Sequence, residues 1–387
     1  MIKIKKLSKT LLNMMNNDNF NKRIIVTIKD KNIINKIKPK KPNLVERNKY
    51  ITNIISINKN NHINLKKFIK KYNGTDIRCM DFLNLISCNG NKELVINLSK
   101  RDDVLKIDIE DYITLPEEEL YGISNKKQIN SIVKNNCGNL WNLKKINKIV
   151  DKNLQIEYLT KVNNDVLVSL LDTGIDVNHR ELKGIIDLEK SVSFIKNEKS
   201  IIDYNGHGTH IAGIIGGKNV GICEDIKIMS IKCFNKKGLG STCNLIQGIE
   251  YSIINGANII QLFLDNNIDL NYKNCLGLAL KKSLDIGIHI CLSIEKSLNN
   301  IYKKIKTCGI IGRIDENCKY YCPGIGIPSS YINNQYRYLN GISISTAHLT
   351  GLIANILQIN QNINPWNIQI VTDNNNIIDV TNSCYIN

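Results

Sequence analysis

The sequence predicts an α/β protein with a doubly wound parallel sheet, preceded by a smaller α+β domain. Two patterns indicate this: short apolar strands alternate with helices over the C-terminal two thirds, and a compact strand-rich block lies before them. The chain has 387 residues, 42% of them hydrophobic, which is enough for a large core and a smaller companion domain. No run approaches eighteen consecutive apolar residues, so we expect no transmembrane segment.

The alternation extends from Trp141 almost to the end of the chain. Apolar segments predict strands at 166–171, 226–234, 257–264 and 288–294. Helices are expected at 207–215, 243–254, 275–284 and 343–357. Such an order favours a parallel sheet covered by helices on both faces. Reactive groups in such a sheet gather at the carboxyl ends of its strands.

Four segments are expected along the chain. Residues 1–46 are basic and Asn-rich and are expected to be weakly ordered. Residues 47–115 predict the small α+β domain, residues 116–136 a linker, and residues 137–387 the large domain. Within the small domain, strands are predicted at 51–57, 83–87, 94–97 and 104–112, with a short amphipathic helix at 65–72.

The net charge of +17 is concentrated at the N-terminus. Residues 1–71 carry +16 of it, and the rest of the chain carries +1. A nearly neutral body with one basic arm argues against nucleic acid as a partner, because duplex binding needs a basic surface on the folded domain. A binder of nucleic acid or of acidic surfaces acting through residues 1–71 is a minor alternative. The excess of Ile, Asn and Lys throughout the chain is typical of an AT-rich genome.

Cysteine is abundant, with 12 residues, but no pair has C-x-x-C spacing. This argues against zinc and against thioredoxin-like chemistry, so no metal site is expected. Disulfides and buried thiols both remain open. The first residues are basic but lack the apolar core of a secretory signal peptide.

Three short segments have the residue types of nucleophilic hydrolysis. Residues 170–176 read Leu-Leu-Asp-Thr-Gly-Ile-Asp, residues 205–213 read Asn-Gly-His-Gly-Thr-His-Ile-Ala-Gly, and residues 340–351 begin Asn-Gly-Ile-Ser. A serine nucleophile needs a base that takes its proton and a carboxylate that orients the base. Asp172, His207 and Ser343 occur in the order Asp, His, Ser, each beside small residues.

These segments resemble the three catalytic motifs of the subtilisin-like serine proteases. The resemblance covers residues 137–387 and implies that Asp172 orients the base His207, which activates Ser343. It implies a polypeptide substrate and a secretory or extracellular location. Residues 47–115 resemble the family's inhibitory propeptide, so a zymogen with its own propeptide as partner is implied. The composition is also similar to that of subtilases from malaria parasites.

The resemblance extends in part to the substrate and oxyanion positions. Gly238, Leu239 and Gly240 match one wall of the family's substrate site, and Leu264 lies in the opposite wall. By this alignment Lys296 stands where the family has the oxyanion-binding Asn, and Ile342 replaces the Thr before the nucleophile. A subtilase fold that is catalytically weak or inactive and binds peptides or partners is therefore the alternative function.

Metal and other catalytic interpretations of the same motifs are weaker. An aspartic protease needs a second catalytic Asp motif, which the chain lacks. His207 and His210 lack a third metal ligand nearby. Calcium is left open as a cofactor: Glu181 falls where some subtilases have a calcium-binding carboxylate, although residues 216–221 are short for the binding loop.

Overall fold

A computed structural model describes a large part of the chain. The described residues are 4–17, 19–30, 44–115, 166–223, 225–264, 274–293, 308–310, 320–359, 361, 365, 371–372 and 378–379. They form two compact units. No helix within these ranges is both long enough and apolar enough to cross a membrane. The predicted linker at 116–136 and the start of the predicted large domain lie outside the described residues.

The first unit comprises Met1–Tyr112, Ser241–Ile254 and Asp269–Ile286. Its helices are a 3₁₀ turn at Ile4–Lys6, then α1 (Lys9–Met14), α2 (Leu44–Lys71), α3 (Lys92–Lys100), α5 (Thr242–Ile254) and α6 (Cys275–Asp285). Its strands are β1 (Asn21–Ile28), β2 (Thr75–Met80), β3 (Leu85–Asn91) and β4 (Val104–Ile109). They form one antiparallel sheet in the order β2-β3-β1-β4.

Residues 4–17 and 19–30 form helix and strand, which differs from the weakly ordered segment expected over residues 1–46. β1 pairs with β3 on one side and with β4 on the other, so it is a central strand of the sheet. Ile24 and Val26 are fully buried, and they join one core cluster with Leu11 of α1. The strand was not predicted because Asn and Lys residues surround it. They give the segment the polar composition that is typical of weakly ordered chains.

Two predicted strands are helical. The segment 51–57 and the predicted helix at 65–72 belong to the single helix α2, in which the buried residues Ile51, Ile54, Leu65 and Ile69 follow helical spacing. Clustered Ile residues favour a strand by propensity, and packing against the sheet overrides that preference. The segment 94–97 lies in α3, which begins where the Asn91 side chain accepts a hydrogen bond from Leu94 N at 2.8 Å.

Helices α5 and α6 pack with the N-terminal sheet, which differs from the predicted boundary of the large domain. The Glu250 carboxylate of α5 accepts hydrogen bonds from the backbone N–H groups of Phe82 and Leu83, at 2.8 and 2.9 Å. Lys282 of α6 donates to the Leu83 carbonyl at 3.0 Å. These polar contacts connect segments far apart in sequence, so the apolar pattern of either segment could not indicate them.

The second unit comprises Ile113–Gly240, Asn255–Ile268 and Gly287–Asn387. The described part of its central sheet contains β6 (Leu167–Asp172), β7 (Val192–Ser193), β8 (Lys227–Lys232), β10 (Ile259–Phe263) and β11 (His289–Ser293). These strands are all parallel, in the order β11-β10-β6-β8-β7. The predicted α/β fold with a parallel sheet is confirmed.

Two helices of the second unit position the candidate site, α4 (His207–Gly216) and α7 (Ile342–Ile359). They pack against each other and share one apolar core with the sheet. α4 also packs closely on β14 (Ile327–Tyr331), which forms a hairpin with β15 (Gln335–Leu339). A Cβ atom at Gly213 would lie only 2.2 Å from the Ser330 hydroxyl, so glycine is required for this approach.

The remaining described strands are short. They are β5 (Tyr112–Thr114), β9 (Leu239–Ser241), β12 (Cys308–Ile310), β13 (Tyr320–Cys322), β16 (Val371–Thr372) and β17 (Ile378–Asp379). Each pairs in a two-stranded sheet: β5 with β9, β12 with β13, and β16 with β17.

Replacing Glu250 by Gln is expected to change how the stability of the chain depends on pH. Burial raises the pKa of Glu250 to about 7, from an ordinary value of 4.5. The folded state therefore binds more protons than the unfolded state between these values, and stability falls as pH rises through that window. Glu250→Gln removes this pH dependence, although the amide meets one of the two N–H groups with a donor and adds a cost that does not vary with pH. On going from pH 5 to pH 8 the variant should therefore lose about 1–3 kcal/mol less stability than the parent loses.

Urea unfolding at the two pH values measures this change. Glu93→Gln is the matched control, because Glu93 is exposed on α3. An equal pH dependence in the parent and the Glu250→Gln chain would show that Glu250 is ionised throughout the range.

Candidate functional site

An Asp–His pair lies at the carboxyl end of the central strand β6. The ring nitrogen Nδ1 of His207 lies 2.7 and 2.9 Å from the two carboxylate oxygens of Asp172, and both side chains are buried. Asp172 is the last residue of β6 and His207 the first of α4. With Nδ1 donating to the carboxylate, the other ring nitrogen, Nε2, is left as the proton acceptor.

Glycines allow the strand and the helix to approach this closely. A Cβ at Gly208 would lie 2.2 Å from the Gly174 carbonyl and 3.1 Å from the Asp172 carboxylate. Gly206 precedes the helix with φ +110°, and a Cβ there would clash with the ring of Tyr331 at 2.2 Å. Larger residues at these positions would separate His207 from Asp172.

A second buried carboxylate, which the sequence analysis did not identify, organises the approach to His207. One oxygen of Asp203 accepts hydrogen bonds from the Thr173 hydroxyl and from the backbone N–H groups of Asn205 and Gly206, each at 2.9 Å. The other accepts from both the backbone N–H and the hydroxyl of Thr209, at 3.0 and 2.7 Å. Asp203 lies three residues before Gly206, the N-cap of α4, and so stands outside the position at which a capping carboxylate is recognised in a sequence.

Thr173 connects the two carboxylates. Its backbone N–H donates to Asp172 at 2.7 Å, while its hydroxyl donates to Asp203 and accepts from Gly208 N at 3.0 Å. The residue after the orienting Asp is therefore bonded both to the loop before α4 and to its first turn.

Lys232, at the end of β8, also holds the loop that leads to His207. Its side chain is fully buried and donates to the Glu198 carboxylate and to the Ile202 carbonyl, both at 2.6 Å. The ammonium lies 5.0 Å from the centre of the Tyr204 ring. Sequence reasoning missed Lys232 because it is the polar end of an otherwise apolar strand, with no motif around it.

Ser343 is the second residue of α7, and it is buried. The turn before it is fixed by two hydrogen bonds, from Gly326 N to the Asn340 side chain at 2.6 Å and from Gly341 N to the Gly324 carbonyl at 2.9 Å. The first N–H groups of a helix have no partner within the helix and form its positive end. An anion that develops at Ser343 would therefore meet backbone donors.

The residues predicted around the oxyanion are only partly described. Lys296 and its neighbour Glu295 lie outside the described residues. Ile342, which stands in place of the family's Thr, is 8% exposed. Leu264 follows β10, where its N–H donates to the Ser293 carbonyl at 3.1 Å.

The predicted substrate wall at residues 238–240 is engaged by an extended segment of the same unit. The backbone N–H of Leu115 donates to the Gly238 carbonyl at 2.8 Å, and Leu115 itself is buried. Gly238 has φ +70°, and a Cβ there would lie 3.2 Å from the Leu115 side chain. Leu239 is 41% exposed, and it lines an open cavity of about 660 Å³ together with Asn197, Glu198, Tyr204, Asn235, Lys236 and Lys237.

The described residues around Glu181 do not fit a calcium site. Its carboxylate accepts hydrogen bonds from the backbone and side-chain nitrogens of Asn219, at 2.6 and 2.9 Å, and from the Tyr336 hydroxyl. These donors occupy the oxygens that a hard cation would need, and calcium takes six to eight oxygen ligands. Glu181 therefore acts as a structural acceptor for the turn at Asn219.

The other histidines of the motifs have backbone partners. Nε2 of His210 lies 3.2 and 3.1 Å from the carbonyls of Ile327 and Arg337, and it anchors α4 to the β14–β15 hairpin. His348 is buried in α7 with Nδ1 2.8 Å from the Ile344 carbonyl, and burial lowers its pKa to about 4. His348 is therefore neutral at physiological pH.

Comparison with known proteins gives an independent view of this site. The model of the "Subtilase family" matches residues 163–266, the segment that contains Asp172 and His207. The chain is 29% identical over 217 residues to subtilisin DY of Bacillus licheniformis, covering 50% of this chain and 77% of that protein. It is 25% identical over 255 residues to alkaline serine exoprotease A of Vibrio alginolyticus, covering 61% of this chain and 46% of that protein. These matches support a subtilisin-like serine protease.

Comparison with solved structures supports the fold. Fervidolysin from Fervidobacterium pennivorans, described as a keratinolytic enzyme related to subtilisin, aligns with a TM-score of 0.61 at 17% identity, covering 90% of this chain and 56% of that one. The fold is therefore subtilisin-like α/β. The chain spans about half the length of several relatives that it matches.

Replacing Asp203 by Asn is expected to disturb the site without touching the Asp–His pair. The Asn side chain can accept hydrogen bonds only at its oxygen. Either the two donors of Thr209 or the donors from Thr173, Asn205 and Gly206 therefore lose their acceptor. A hydrogen bond to a charged group contributes about 1.5–3 kcal/mol, so Asp203→Asn should lower the free energy of unfolding by about 3 kcal/mol. Urea unfolding of the parent and of the variant measures this loss of stability.

Asp187→Asn is the control for this substitution. The Asp187 side chain accepts one backbone hydrogen bond, from Lys190 N, and forms a partly exposed ion pair with the same residue. Its replacement should cost under about 1 kcal/mol. Equal losses in the two variants would mean that Asp203 is no more important than an ordinary loop carboxylate.

Proposed function

We propose that the protein is a serine endopeptidase that hydrolyses peptide bonds with a triad of Asp172, His207 and Ser343. The observation that carries the proposal is the buried Asp172–His207 pair at the carboxyl end of β6. His207 begins α4, and α4 packs against α7, in which Ser343 is the second residue. The similarity to subtilisin-like proteases supports the same assignment.

The chemistry follows from the roles of these three side chains. His207 Nε2 takes the proton of the Ser343 hydroxyl as its oxygen attacks the scissile carbonyl carbon. Asp172 holds the ring through Nδ1–H and stabilises the imidazolium that forms. The imidazolium then gives its proton to the leaving amine as the C–N bond breaks, which leaves an acyl-enzyme. Water, deprotonated by the same ring, releases the acid and regenerates Ser343.

The oxyanion of the tetrahedral intermediate is stabilised by the start of α7. The backbone N–H of Ser343 and the positive end of the helix are positioned there by the turn that Asn340 and Gly341 fix. We propose Lys296 for the second, side-chain donor. Its flexible stem makes it a poorer preorganised donor than an amide, and loss of one such donor costs about 10²–10³ in rate, a value for which subtilisin is the known example.

We also propose that the protein is made as a zymogen and that residues 47–115 are its inhibitory propeptide. The contact of Leu115 with Gly238 supports this, because Gly238 belongs to the predicted substrate wall. A segment that occupies this wall as an added strand would exclude substrate. A secretory or extracellular site of action, and a relationship to the subtilases of malaria parasites, belong to the same proposal.

A second candidate function is a subtilase fold that binds peptides without cleaving them. The observation in its favour is Ile342, whose apolar side chain stands before the nucleophile where a hydroxyl would support the oxyanion. This candidate keeps the substrate wall and predicts that Ser343 is unreactive.

The two candidates are distinguished by covalent labelling. A fluorophosphonate probe should react at Ser343, because the probe captures a serine that a neighbouring base has activated. Ser343→Ala should abolish the modification, whereas Ser345→Ala, two residues further along the same helix, should retain it. Mass spectrometry of the peptide containing residue 343 measures the result. No labelling in any chain, including one that carries Leu115→Asp, would favour the binding protein.

Release of the Leu115 segment should increase this reactivity. Leu115 is buried, so Leu115→Asp places an unpaired charge in an apolar contact and should weaken the pairing with Gly238. We expect labelling to be at least about tenfold faster, which corresponds to about 1.4 kcal/mol. Tyr112→Asp is the control, because Tyr112 is 80% exposed. Unchanged labelling in Leu115→Asp would contradict the inhibitory role while leaving the triad intact.

A further inference from the structure

Three side chains of metal-binding type converge in the first unit, within the part of the chain that the structure describes. They are His62 on helix α2, Cys79 in strand β2 and Asp81 just after that strand. Their candidate ligand atoms all lie within 4.8 Å of one another. His62 is 1% exposed, and Asp81 keeps 21% of its side chain in contact with solvent.

The hydrogen bonds around His62 leave one ring nitrogen available as a ligand. The amide nitrogen of Asn84 donates to the carbonyls of Ile28 and Lys29 and to the Asp30 carboxylate, at 3.2, 3.3 and 3.1 Å. The orientation of this amide is therefore fixed, and its oxygen faces His62 Nε2 at 3.2 Å. Nε2 must then carry a hydrogen, because it meets an acceptor. In the neutral ring this leaves the lone pair on Nδ1.

The carboxylate next to His62 Nδ1 requires a positively charged group between the two atoms. Asp81 Oδ1 lies only 2.6 Å from Nδ1, so the two atoms need a proton or a metal cation between them. A buried lone pair and a carboxylate oxygen repel at this distance unless a cation or a proton lies between them. The Cys79 sulfur beside the pair is a soft ligand that a proton bridge would not use.

We propose that His62, Cys79 and Asp81 form a zinc site, with water as the fourth ligand. Nitrogen, thiolate and carboxylate are the ligand types that Zn²⁺ binds, with metal–ligand distances of about 2.0–2.3 Å. Ligand atoms within 4.8 Å of one another need to move by only about an ångström to meet that geometry. One thiolate and one carboxylate balance the charge of the ion.

The residues around the three ligands support them as an outer shell. Asn84 fixes the tautomer and ring plane of His62, the usual role of an outer-shell partner. The side chain of Asn58, one helical turn before His62, donates to the Asp81 carbonyl at 2.8 Å and holds the turn that presents Asp81. Burial raises the pKa of the Cys79 thiol, and the Lys66 ammonium that bonds to the sulfur acts in the opposite direction. A bound zinc ion deprotonates a thiol ligand itself, and the flexible chain of Lys66 can move into solvent when the ion binds.

This site revises the sequence-based expectation of no metal. That expectation rested on the absence of C-x-x-C spacing, whereas these ligands come from a helix and from the end of a strand. The site contains none of the proposed catalytic residues, so the inference does not depend on the protease function. Its effect would be to join α2 to the turn between β2 and β3.

The test uses the full chain carrying Ser343→Ala, so that self-cleavage plays no part. Metal-free protein is titrated with Zn²⁺ against a chromophoric chelator, and separately with Co²⁺, whose thiolate charge-transfer absorption reports a bound cysteine. Loss of an outer-shell partner lowers metal affinity by about 10–100-fold. Cys79→Ser and Asp81→Asn each remove a ligand, so each should lower zinc affinity by more than this. Cys79→Ser should also remove the charge-transfer band.

Asp76→Asn is the matched control, because Asp76 lies on the same strand, outside the cluster, with φ +46°, which Asn tolerates. It should leave zinc affinity unchanged, and circular dichroism confirms that each variant is folded. Zinc should also raise the melting temperature of the parent and the Asp76→Asn chain but not of Asp81→Asn. Equal zinc binding in all variants would place the ion elsewhere on the chain, and no binding by the parent would mean that a proton bridges His62 and Asp81. Either result overturns the proposal.

Discussion

The candidate site depends on the buried carboxylate of Asp203. An ionised side chain inside a protein is strongly unfavourable unless hydrogen bonds replace its hydration. Five donors do so here, and they come from both sides of the site: Thr173 follows Asp172, and Thr209 lies two residues after His207. The same charge therefore sets the end of β6 and the start of α4. The distance between Asp172 and His207 is a consequence of this anchoring.

The sequence predicted the parallel sheet well and the N-terminal unit poorly, for one physical reason. Strands such as β6 and β10 are buried on their whole length, so they appear as uninterrupted apolar runs. The N-terminal elements are partly solvated, and their pattern is diluted by Asn and Lys. In α2 the Ile residues also carry a preference for strands, and only their burial at helical spacing against the sheet identifies the helix.

The residues of the candidate site also differ in how readily the sequence indicates them. Asp172, His207 and Ser343 stand in short motifs with glycine neighbours, so residue type and order were enough to propose them as a triad, and the structure shows the contact of Asp172 with His207. Asp203 holds its own loop and the start of α4, and Lys232 reaches Glu198 and Ile202 of that loop, but neither residue stands in a motif that marks such a role. The proposed zinc ligands His62, Cys79 and Asp81 come together only after α2 has packed on β2. Glu181 shows the opposite case: its position suggested calcium, but its oxygens already accept hydrogen bonds from Asn219 and Tyr336.

The turn between β2 and β3 shows why polar groups are so prominent in the first unit. Asn58 of α2 donates to the Asp81 carbonyl, Glu250 of α5 accepts from the next two N–H groups, and Lys282 of α6 donates to the Leu83 carbonyl. An apolar contact would tolerate sliding of these helices along the sheet, whereas directional hydrogen bonds to backbone groups do not. Three helices are thereby held in register on one short turn.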